Sequence, residues 1–329
     1  MADEIEVPIP IMSYDITRPF VEGRVPIDGV KLMPSRSVPN GTMIPPNSPI
    51  MSGDFGLVDL NVGNWLGGIE AGWEMTALPV FSKRKPVYEY IFCRADRGID
   101  QPQDLEGKRI GIRRYRISTT IWIVGLLDHR HGVDRSKLHW VVGADSLDDP
   151  LGAFCYLNAH LELAADPKKP TIDQLLDGEI DAMMVDVSDG TQFHILETDS
   201  RVKRLFPNYP DEDYRLYQET GIFTPAHVLA YSKKLDRQHP ELARQLYQAL
   251  EKSKAMSRED ILNDRAGFGI PYLREHFLEA ETKWGDAWKL GITASKADID
   301  AWLEYNFEQG MTSARLTYDQ VFASSTLDT

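Results

Sequence analysis

A basic cluster lies in the middle of the chain, between the apolar stretch "RIGI" and a longer apolar stretch with helical character. The cluster comprises Arg113, Arg114 and Arg116. Guanidinium groups and the unsatisfied backbone N–H groups of a helix's first turn are the donors that hold carboxylates and phosphates. The hydroxyl-bearing helix start that follows consists of Ser118, Thr119 and Thr120. We predict that Arg113 and this helix start bind an anionic ligand. The alternative is solvated arginines beside an ordinary N-cap, provided by Ser118 or Thr119.

A histidine in an apolar strand pattern is the best candidate for acid–base chemistry. His227 lies in "TGIFTPAHVLAY", and an imidazole exchanges a proton near neutral pH. The alternative is a core histidine whose hydrogen bonds are satisfied internally. Further polar side chains follow other predicted strands, at the edge where ligands collect in open α/β sheets. These residues are Tyr14, Asp15, Arg18, Asp59, Asn61 and Asp186.

Several function classes are excluded by composition and motif content. The net charge of −14 argues against nucleic acid as a partner and makes a local basic cluster more informative. No apolar run is long enough to span a membrane, and the acidic N-terminus does not resemble a secretion signal, so we expect a cytoplasmic protein. Dinucleotide and phosphate-loop fingerprints are absent from the sequence, and we expect no cofactor. Cys93 and Cys155 are expected to be buried thiols, and the spacing of His129 and His131 argues against a metal site.

The pattern of elements predicts an α/β protein. Strands and helices alternate from Gln103 onwards, which favours a parallel sheet with helices on both faces. One of these helices is expected over Thr119–His131. Helices fill the C-terminal part, and the last is expected over Lys296–Glu308, ending at Gly310. A chain of 329 residues is long enough for two lobes. We predict lobe I from residues 1–94 and 223–329 and lobe II, inserted into it, from residues 95–222. The site would lie in a central cleft.

Ordered sequence blocks resemble the 4,5-dihydroxyphthalate decarboxylase family. They are "TALPVF", "DLEGKRIGI", "LHWVVG", "GEIDA", "RLFP", "TGIF" and "EYNFEQGM", and together they span most of the chain. The resemblance implies a type 2 periplasmic-binding-protein-like fold, and it suggests a homo-oligomer. Asp59 occupies a position where family members commonly have a glutamate. The remaining matches to the family's motif positions are Arg84, Tyr115, Thr119, Thr120, Trp122 and His227.

Two departures from the family pattern concern cationic residues. Where members often have Phe-Arg-His, this chain has Pro86, Val87 and Tyr88. Where members have Trp-x-Arg-Gly, the segment starting at Trp122 reads Trp-Ile-Val-Gly. Because arginine–carboxylate pairs are strong, their loss indicates a substrate with fewer carboxylates or a different substrate.

The resulting hypothesis is a cofactor-independent decarboxylase of a small hydroxylated aromatic or related unsaturated carboxylic acid. His227 would be the general acid, and Asp15 or Asp59 would orient it or the substrate. Anionic groups would be held by Arg18, Arg84, Arg113 and the helix start. A flat ring would be flanked by Tyr14, Tyr115 and Trp122. The alternatives are a non-catalytic binding protein, such as a transport receptor or sensor, and a hydrolase or isomerase of the same fold.

Overall fold

The chain divides into two compact units, each built from segments that are distant in sequence. In the computed structural model, the described residues are 4–35, 48–143, 159–185, 192–265, 267 and 269–329. Unit 1 consists of Met1–Arg84, Pro225–Ile299 and Leu316–Thr329. Unit 2 consists of Lys85–Thr224 and Asp300–Arg315.

Unit 1 is organised around one long buried strand. Its strands are β1 (Ile5–Ile9), β2 (Val30–Pro34), β3 (Leu57–Asn61), β4 (Met75–Ala77), β5 (Lys83–Arg84) and β12 (Pro225–Ser232). All eight residues of β12 are buried, which fits a strand that is apolar on both faces and lies inside a sheet. β12 pairs antiparallel with β3, β4 and β5, while β1 and β2 form a separate parallel pair.

Helices cover the sheet of unit 1 and complete its core. They are α1 (Arg18–Val21), α2 (Pro49–Ser52), α3 (Val62–Glu70), α8 (Lys233–Gln238), α9 (Leu242–Leu262), α10 (Leu273–Trp284) and α12 (Tyr318–Val321), with a 3-10 turn at Ser324–Thr326. The 21-residue helix α9 contributes apolar residues such as Leu246 and Leu250 to the core, where they join β-strand residues such as Leu229 and Tyr231. Burial of such side chains is the main stabilising contribution to a unit of this kind.

Unit 2 contains a six-stranded mixed sheet in the order β11-β6-β10-β7-β8-β9. The strands are β6 (Ile91–Arg94), β7 (Arg109–Ile112), β8 (His139–Val142), β9 (His160–Leu163), β10 (Ala182–Met184) and β11 (Val202–Arg204). The pairs β10–β7, β7–β8 and β8–β9 are parallel, as the strand–helix alternation predicts, whereas β6 pairs antiparallel with both of its neighbours.

The helices of unit 2 connect these strands. They are α4 (Ser118–His129), α5 (Thr171–Leu176), α6 (Phe193–Thr198) and α7 (Tyr209–Thr220), with 3-10 turns at Tyr88–Tyr90, Pro102–Leu105 and Arg135–Lys137. Among the described residues, no helix is both long enough and apolar enough to cross a bilayer.

The unit boundaries differ from the lobe boundaries expected from the sequence. The first division lies between residues 84 and 85 instead of 94 and 95, and the second lies between 224 and 225 instead of 222 and 223. Helix α11 (Lys296–Glu308) begins in unit 1 and continues into unit 2, so residues 300–315 belong to unit 2. The physical reason is packing, because Tyr305 of α11 lies against Trp122 of α4 and Gln309 Nε2 donates to the Ile121 carbonyl at 2.9 Å.

Candidate functional site

Strand pairing in unit 1 brings a buried carboxylate to a buried imidazole. In the antiparallel register, His227 of β12 lies opposite Asn61 of β3, and Asp59 is two residues earlier on β3, on the same face as Asn61. This diagonal arrangement places His227 Nδ1 at 2.9 Å from Asp59 Oδ2. His227 is 8% exposed and Asp59 is 2% exposed, so the pair is shielded from water.

Asp59 accepts hydrogen bonds from three side chains. Besides His227, the hydroxyl of Tyr14 donates to Asp59 Oδ2 at 3.3 Å, and Ser82 Oγ donates to Asp59 Oδ1 in a short hydrogen bond. Burial is the largest effect that raises the pKa of Tyr14, and the charge and hydrogen bonding of Asp59 raise it further. The phenol therefore stays protonated and remains a hydrogen-bond donor. A buried carboxylate with several donors has the partners that its ionised form requires.

The turn that carries Tyr14 is fixed by a fully buried threonine. Thr17 Oγ1 donates to the Met12 carbonyl at 2.7 Å and accepts from the Tyr14 backbone N–H at 3.0 Å. The turn ends at α1, which begins at Arg18. The ring of Tyr14 meets the His227 ring edge-on, with 6.4 Å between the ring centroids. Local backbone chemistry thus positions Tyr14 against the Asp59–His227 pair.

The geometry assigns different chemical tasks to His227 and Ser82. Because Asp59 is an acceptor, His227 donates its Nδ1 proton to it, which directs Nε2 away from the carboxylate for proton exchange. Ser82 is bonded to Asp59 and not to the imidazole. A serine nucleophile requires a base that is hydrogen-bonded to its hydroxyl. The arrangement therefore suits an oriented proton donor and acceptor, and it lacks the hydroxyl–imidazole contact of a serine hydrolase.

The other predicted residues of unit 1 have contacts of their own. Asn61 is the N-cap of α3, and its side chain accepts from the Gly63 N–H at 3.0 Å, which is a structural role. Asp15 lines a cavity between α9 and α10. Arg18 is half-buried. The pKa of Asp260 is lowered mainly by its hydrogen bond to Arg24, and the charge of Arg18 makes a smaller contribution in the same direction. Asp15 and Asp59 were the two candidates for orienting His227, and Asp59 is the one that contacts its ring.

Arg84, predicted to hold an anionic group of the substrate, lies inside unit 1 in a buried ion pair. Its Nη1 is 2.8 Å from Asp298 Oδ2, and both side chains have an exposed fraction of 0%. Its Nη2 donates to the Lys289 carbonyl at 3.0 Å and to Ser295 Oγ at 3.1 Å. Asp298 Oδ2 also lies 3.6 Å from Lys289 Nζ, so two cations share this buried carboxylate. Arg84 is therefore held in place by groups of the protein.

The basic cluster of unit 2 adjoins the start of α4 as predicted, but the capping differs. The N-cap is Ile117 and no side chain caps the helix, so the expectation of Ser118 or Thr119 as N-cap is wrong. Both hydroxyls are within the first turn and buried, and Thr120 Oγ1 instead donates to the Arg114 carbonyl at 3.3 Å. Because the helix already begins at residue 118, Ser118 and Thr119 have helical backbone geometry and cannot be its N-cap.

The arginines of this cluster are unusually buried. Arg114 is 6% exposed and Arg116 is 4% exposed, whereas Arg113 is half-buried. Within the described part of the chain, Arg114 Nε has no hydrogen-bond acceptor. A buried cationic donor of this kind is costly unless an anion compensates it.

Two of the three aromatic residues predicted to flank a ligand, Tyr115 and Trp122, are packed against other aromatic residues of unit 2. Trp122 is 1% exposed and meets Tyr305 edge-on at 5.6 Å between centroids. Tyr115 is 6% exposed and meets Trp140 in the same manner at 5.5 Å. Trp122 is therefore a core residue of the α4–α11 contact.

The positions that depart from the family pattern are also buried. Val124, where members have arginine, has an exposed fraction of 0%, and Tyr88, where members often have histidine, is 1% exposed. The Tyr88 hydroxyl lies 2.9 Å from His131 Nε2, so an imidazole reaches this position from another element. Burial lowers the pKa of His131, with a smaller contribution from Arg130.

The expectation of a buried thiol is confirmed for Cys93. Cys93 is buried, and burial raises the pKa of its thiol to about 12, which leaves it unreactive. Asp128, His129 and Glu308 approach one another closely enough to bind a metal ion, but Arg135 Nη1 lies 3.6 Å from Asp128 and 3.4 Å from Glu308 and supplies the positive charge. Asp186 and Cys155 lie outside the described residues.

Comparison with known proteins supports a relationship to decarboxylases. No protein-family model matches the chain. The chain is 28% identical over 332 residues to a Comamonas testosteroni protein named 4,5-dihydroxyphthalate decarboxylase, covering 99% of this chain and 98% of that protein. A Pseudomonas putida protein of the same name is 29% identical over 185 residues, or 55% of this chain and 70% of the other. The chain is thus similar to one protein named as a decarboxylase over nearly its whole length and to a second over about half of it.

Solved structures confirm the predicted fold class. The periplasmic aliphatic sulphonate-binding protein SsuA from Escherichia coli has a TM-score of 0.55 at 11% identity, covering 98% of this chain and 92% of that chain. DSZB in complex with biphenyl-2-sulfinic acid has a TM-score of 0.52 at 15% identity, covering 99% and 98%. The chain has the predicted α/β, two-lobe, periplasmic-binding-protein-like fold.

Proposed function

We propose that the protein is a cofactor-independent decarboxylase of a small hydroxylated aromatic carboxylic acid, with His227 as its proton donor. The observation that carries the proposal is the buried Asp59–His227 pair, in which Nδ1 faces the carboxylate and Nε2 lies on the opposite side of the imidazole ring. The similarity to proteins named as decarboxylases supports the reaction class.

The proposed reaction needs one proton and no redox step. His227 Nε2–H protonates the ring carbon that bears the carboxylate, and an ortho or para hydroxyl stabilises the resulting cation. The bond to the carboxylate then breaks, CO2 leaves, and the electron pair of that bond restores the aromatic ring. His227 regains its proton from water. A positioned acid contributes about 10²–10⁴-fold to the rate. In the acid form of His227 both ring nitrogens carry a proton, of which Nδ1–H is donated to Asp59 and Nε2–H is transferred to the ring carbon.

The start of α4, taken within unit 2 alone, has donors that could hold an anion. Arg114 offers a buried guanidinium Nε without an acceptor in the described part of the chain, beside the first turn of a 12-residue helix. Arg84 is not assigned this role, because it is held in place by Asp298 within unit 1. The valine at position 124 and the tyrosine at position 88 leave fewer cationic groups than the family pattern has, so we propose a monocarboxylate in preference to a phthalate.

The experiment is an assay of CO2 release from hydroxybenzoates and hydroxyphthalates, performed in D2O and H2O. Turnover in D2O should place one deuterium on the carbon that carried the carboxylate. His227→Gln should lower kcat by roughly 10²–10⁴-fold and change the affinity for a substrate analogue by less than about threefold. Equal kcat in the variant would remove His227 from the mechanism.

A binding protein without catalysis is the second candidate, because SsuA proteins share the fold, including one from Xanthomonas axonopodis pv. citri bound to MOPS. Tight binding of a carboxylate with no CO2 released and no deuterium incorporated would favour it. Arg114→Gln tests the proposed anion site of unit 2 by itself, and it should weaken binding of a carboxylate to that unit at least tenfold. Turnover without release of CO2 would instead indicate an isomerase or a hydrolase.

A further inference from the structure

Unit 1 contains a second feature with the dimensions of a ligand site. A cavity of about 730 Å³ lies between α9, α10 and the segment that follows α10. Small-molecule sites in proteins have volumes of about 300–1,000 Å³. One wall is formed by Asp15 and Ile16, which directly follow Tyr14 in the chain.

Its walls are mainly apolar and aromatic. Phe277, Trp284 and Trp288 supply ring surfaces, and Ile16, Ile261 and Leu290 supply aliphatic surfaces. None of the residues of α10 is fully buried, so the apolar side of this helix is only partly covered by the protein. Aromatic side chains combine a large apolar area with few rotatable bonds, which suits them to binding a flat molecule.

The charges around the cavity select against an anion. The two cationic side chains in its wall are already paired, Lys254 with Asp286 and Arg258 with Glu281. Two further carboxylates belong to the wall, Asp15 and Glu251, and the Glu251 carboxylate accepts a hydrogen bond from Tyr247 at 2.9 Å. Four carboxylates and two cations therefore line the cavity, for a formal net charge of −2.

We propose that this cavity is a binding site for a neutral or cationic flat aromatic molecule. The apolar rings would cover the faces of the ligand, and the excess of carboxylates would attract a positive group and repel a negative one. The site goes beyond the decarboxylase proposal, because an aromatic carboxylate has the wrong charge for it.

The experiment compares ligands of equal shape and opposite charge. Isothermal titration of the full-length protein with 1-naphthylmethylamine, 1-naphthylmethanol and 1-naphthoate separates charge from ring stacking. We expect the amine and the alcohol to bind with one site per chain. Ala280→Trp fills the cavity from an exposed position on α10 and should weaken both ligands at least tenfold, while Thr282→Trp, an exposed position of the same helix outside the cavity wall, should not.

Two further variants make the outcome specific. Glu251→Gln should weaken the amine about threefold or more and leave the alcohol unchanged, because only the charge differs. His227→Gln should leave both affinities unchanged, which separates this site from the proposed catalytic group. Binding of the amine that survives Ala280→Trp, or naphthoate binding that is as tight as amine binding and is lost in Ala280→Trp, would overturn the proposal.

Discussion

At the scale of single residues, Asp59 is the centre of the proposed catalytic group. It accepts hydrogen bonds from His227, Tyr14 and Ser82, and each donor contributes differently. Asp59→Asn keeps the shape of the side chain but removes its negative charge and presents an NH2 group to the three donors. We expect kcat to fall by roughly 10²–10⁴-fold.

Ser82→Ala is the matched control for Asp59, because it removes one donor and leaves the Asp59–His227 contact in place. It should lower kcat less than tenfold. The measurement is kcat and KM for both variants, in which Asp59→Asn should lower kcat with little change in KM. A kcat in Asp59→Asn within tenfold of the wild-type value would exclude Asp59 from positioning the acid.

A second residue-scale prediction concerns Asp213 in unit 2. Burial, the largest effect, raises its pKa to about 7, although the N–H groups of Val87 and Tyr88 donate to its carboxylate. Between pH 4 and 7 the folded state therefore binds more protons than the unfolded state, and stability falls as the pH rises. Asp213→Asn should lose this dependence.

The predicted signature is a change with pH and not a single stability value. Between pH 4 and 7, the free energy of unfolding of Asp213→Asn should rise relative to that of the wild type by up to about 4 kcal/mol. This is the equivalent of a shift of the Asp213 pKa from 3.8 to about 7. Urea unfolding at several pH values measures it. Asp211→Asn, an exposed neighbour on the same helix, should show no such gain. Parallel curves for wild type and Asp213→Asn would contradict the assignment.

Single residues also show which parts of the site a sequence can reveal. His227 could be selected because a titratable group inside an apolar strand is conspicuous, and Asp59 because it lies at the end of a predicted strand. Ser82 gave no such signal, since a serine beside a basic turn is ordinary. The partner of Arg84 is Asp298, 214 residues away in the chain. An ion pair over that separation depends on tertiary structure, which local pattern does not encode.

At the scale of elements, Gly125 permits α4 to approach α11. A Cβ atom added at Gly125 would overlap the ring of Tyr305. We expect Gly125→Ala to destabilise unit 2 by about 1–3 kcal/mol, since overpacking in a dense interior forces neighbours to move. Gly269→Ala, where a Cβ meets open space, should be neutral or slightly stabilising. Thermal unfolding of both variants distinguishes this contact from a general effect of alanine.

The first and last residues of a helix were predicted best where its apolar periodicity extends over several turns and a glycine that ends the helix follows. The helix expected over Lys296–Glu308 has those bounds in the structure, and Gly310 follows it with a positive φ of 74°. The start of α4 was displaced by one residue, which was enough to make the predicted capping wrong. A run of Ser-Thr-Thr offers several equivalent N-caps, and local preference does not choose among them.

At the scale of the whole molecule, the chain passes between the units more often than the sequence indicated. The alternation of elements predicted one inserted lobe and two crossings. A further division falls inside α11, between residues 299 and 300. A continuous helix carries no break in composition, so packing partners alone decide which unit each half joins. The return of residues 316–329 to unit 1 has the same cause.

That C-terminal return makes the last prediction possible. Phe322 is 1% exposed in unit 1, where residue 322 pairs with Ala77 of β4, and Phe92 has an exposed fraction of 0% in β6 of unit 2. Replacing either phenylalanine by alanine removes the same buried volume and should cost about 3–5 kcal/mol.

Because the two side chains stabilise different sheets, Phe322→Ala should lower amide protection first in β3, β4 and β12, although it lies more than 230 residues after β4. Phe92→Ala should lower amide protection first in β6, β7 and β10. Hydrogen exchange followed by mass spectrometry measures both patterns in the intact chain. Loss of protection in the same strands for both variants would show that the chain unfolds as one cooperative unit and that the division into two has no energetic meaning.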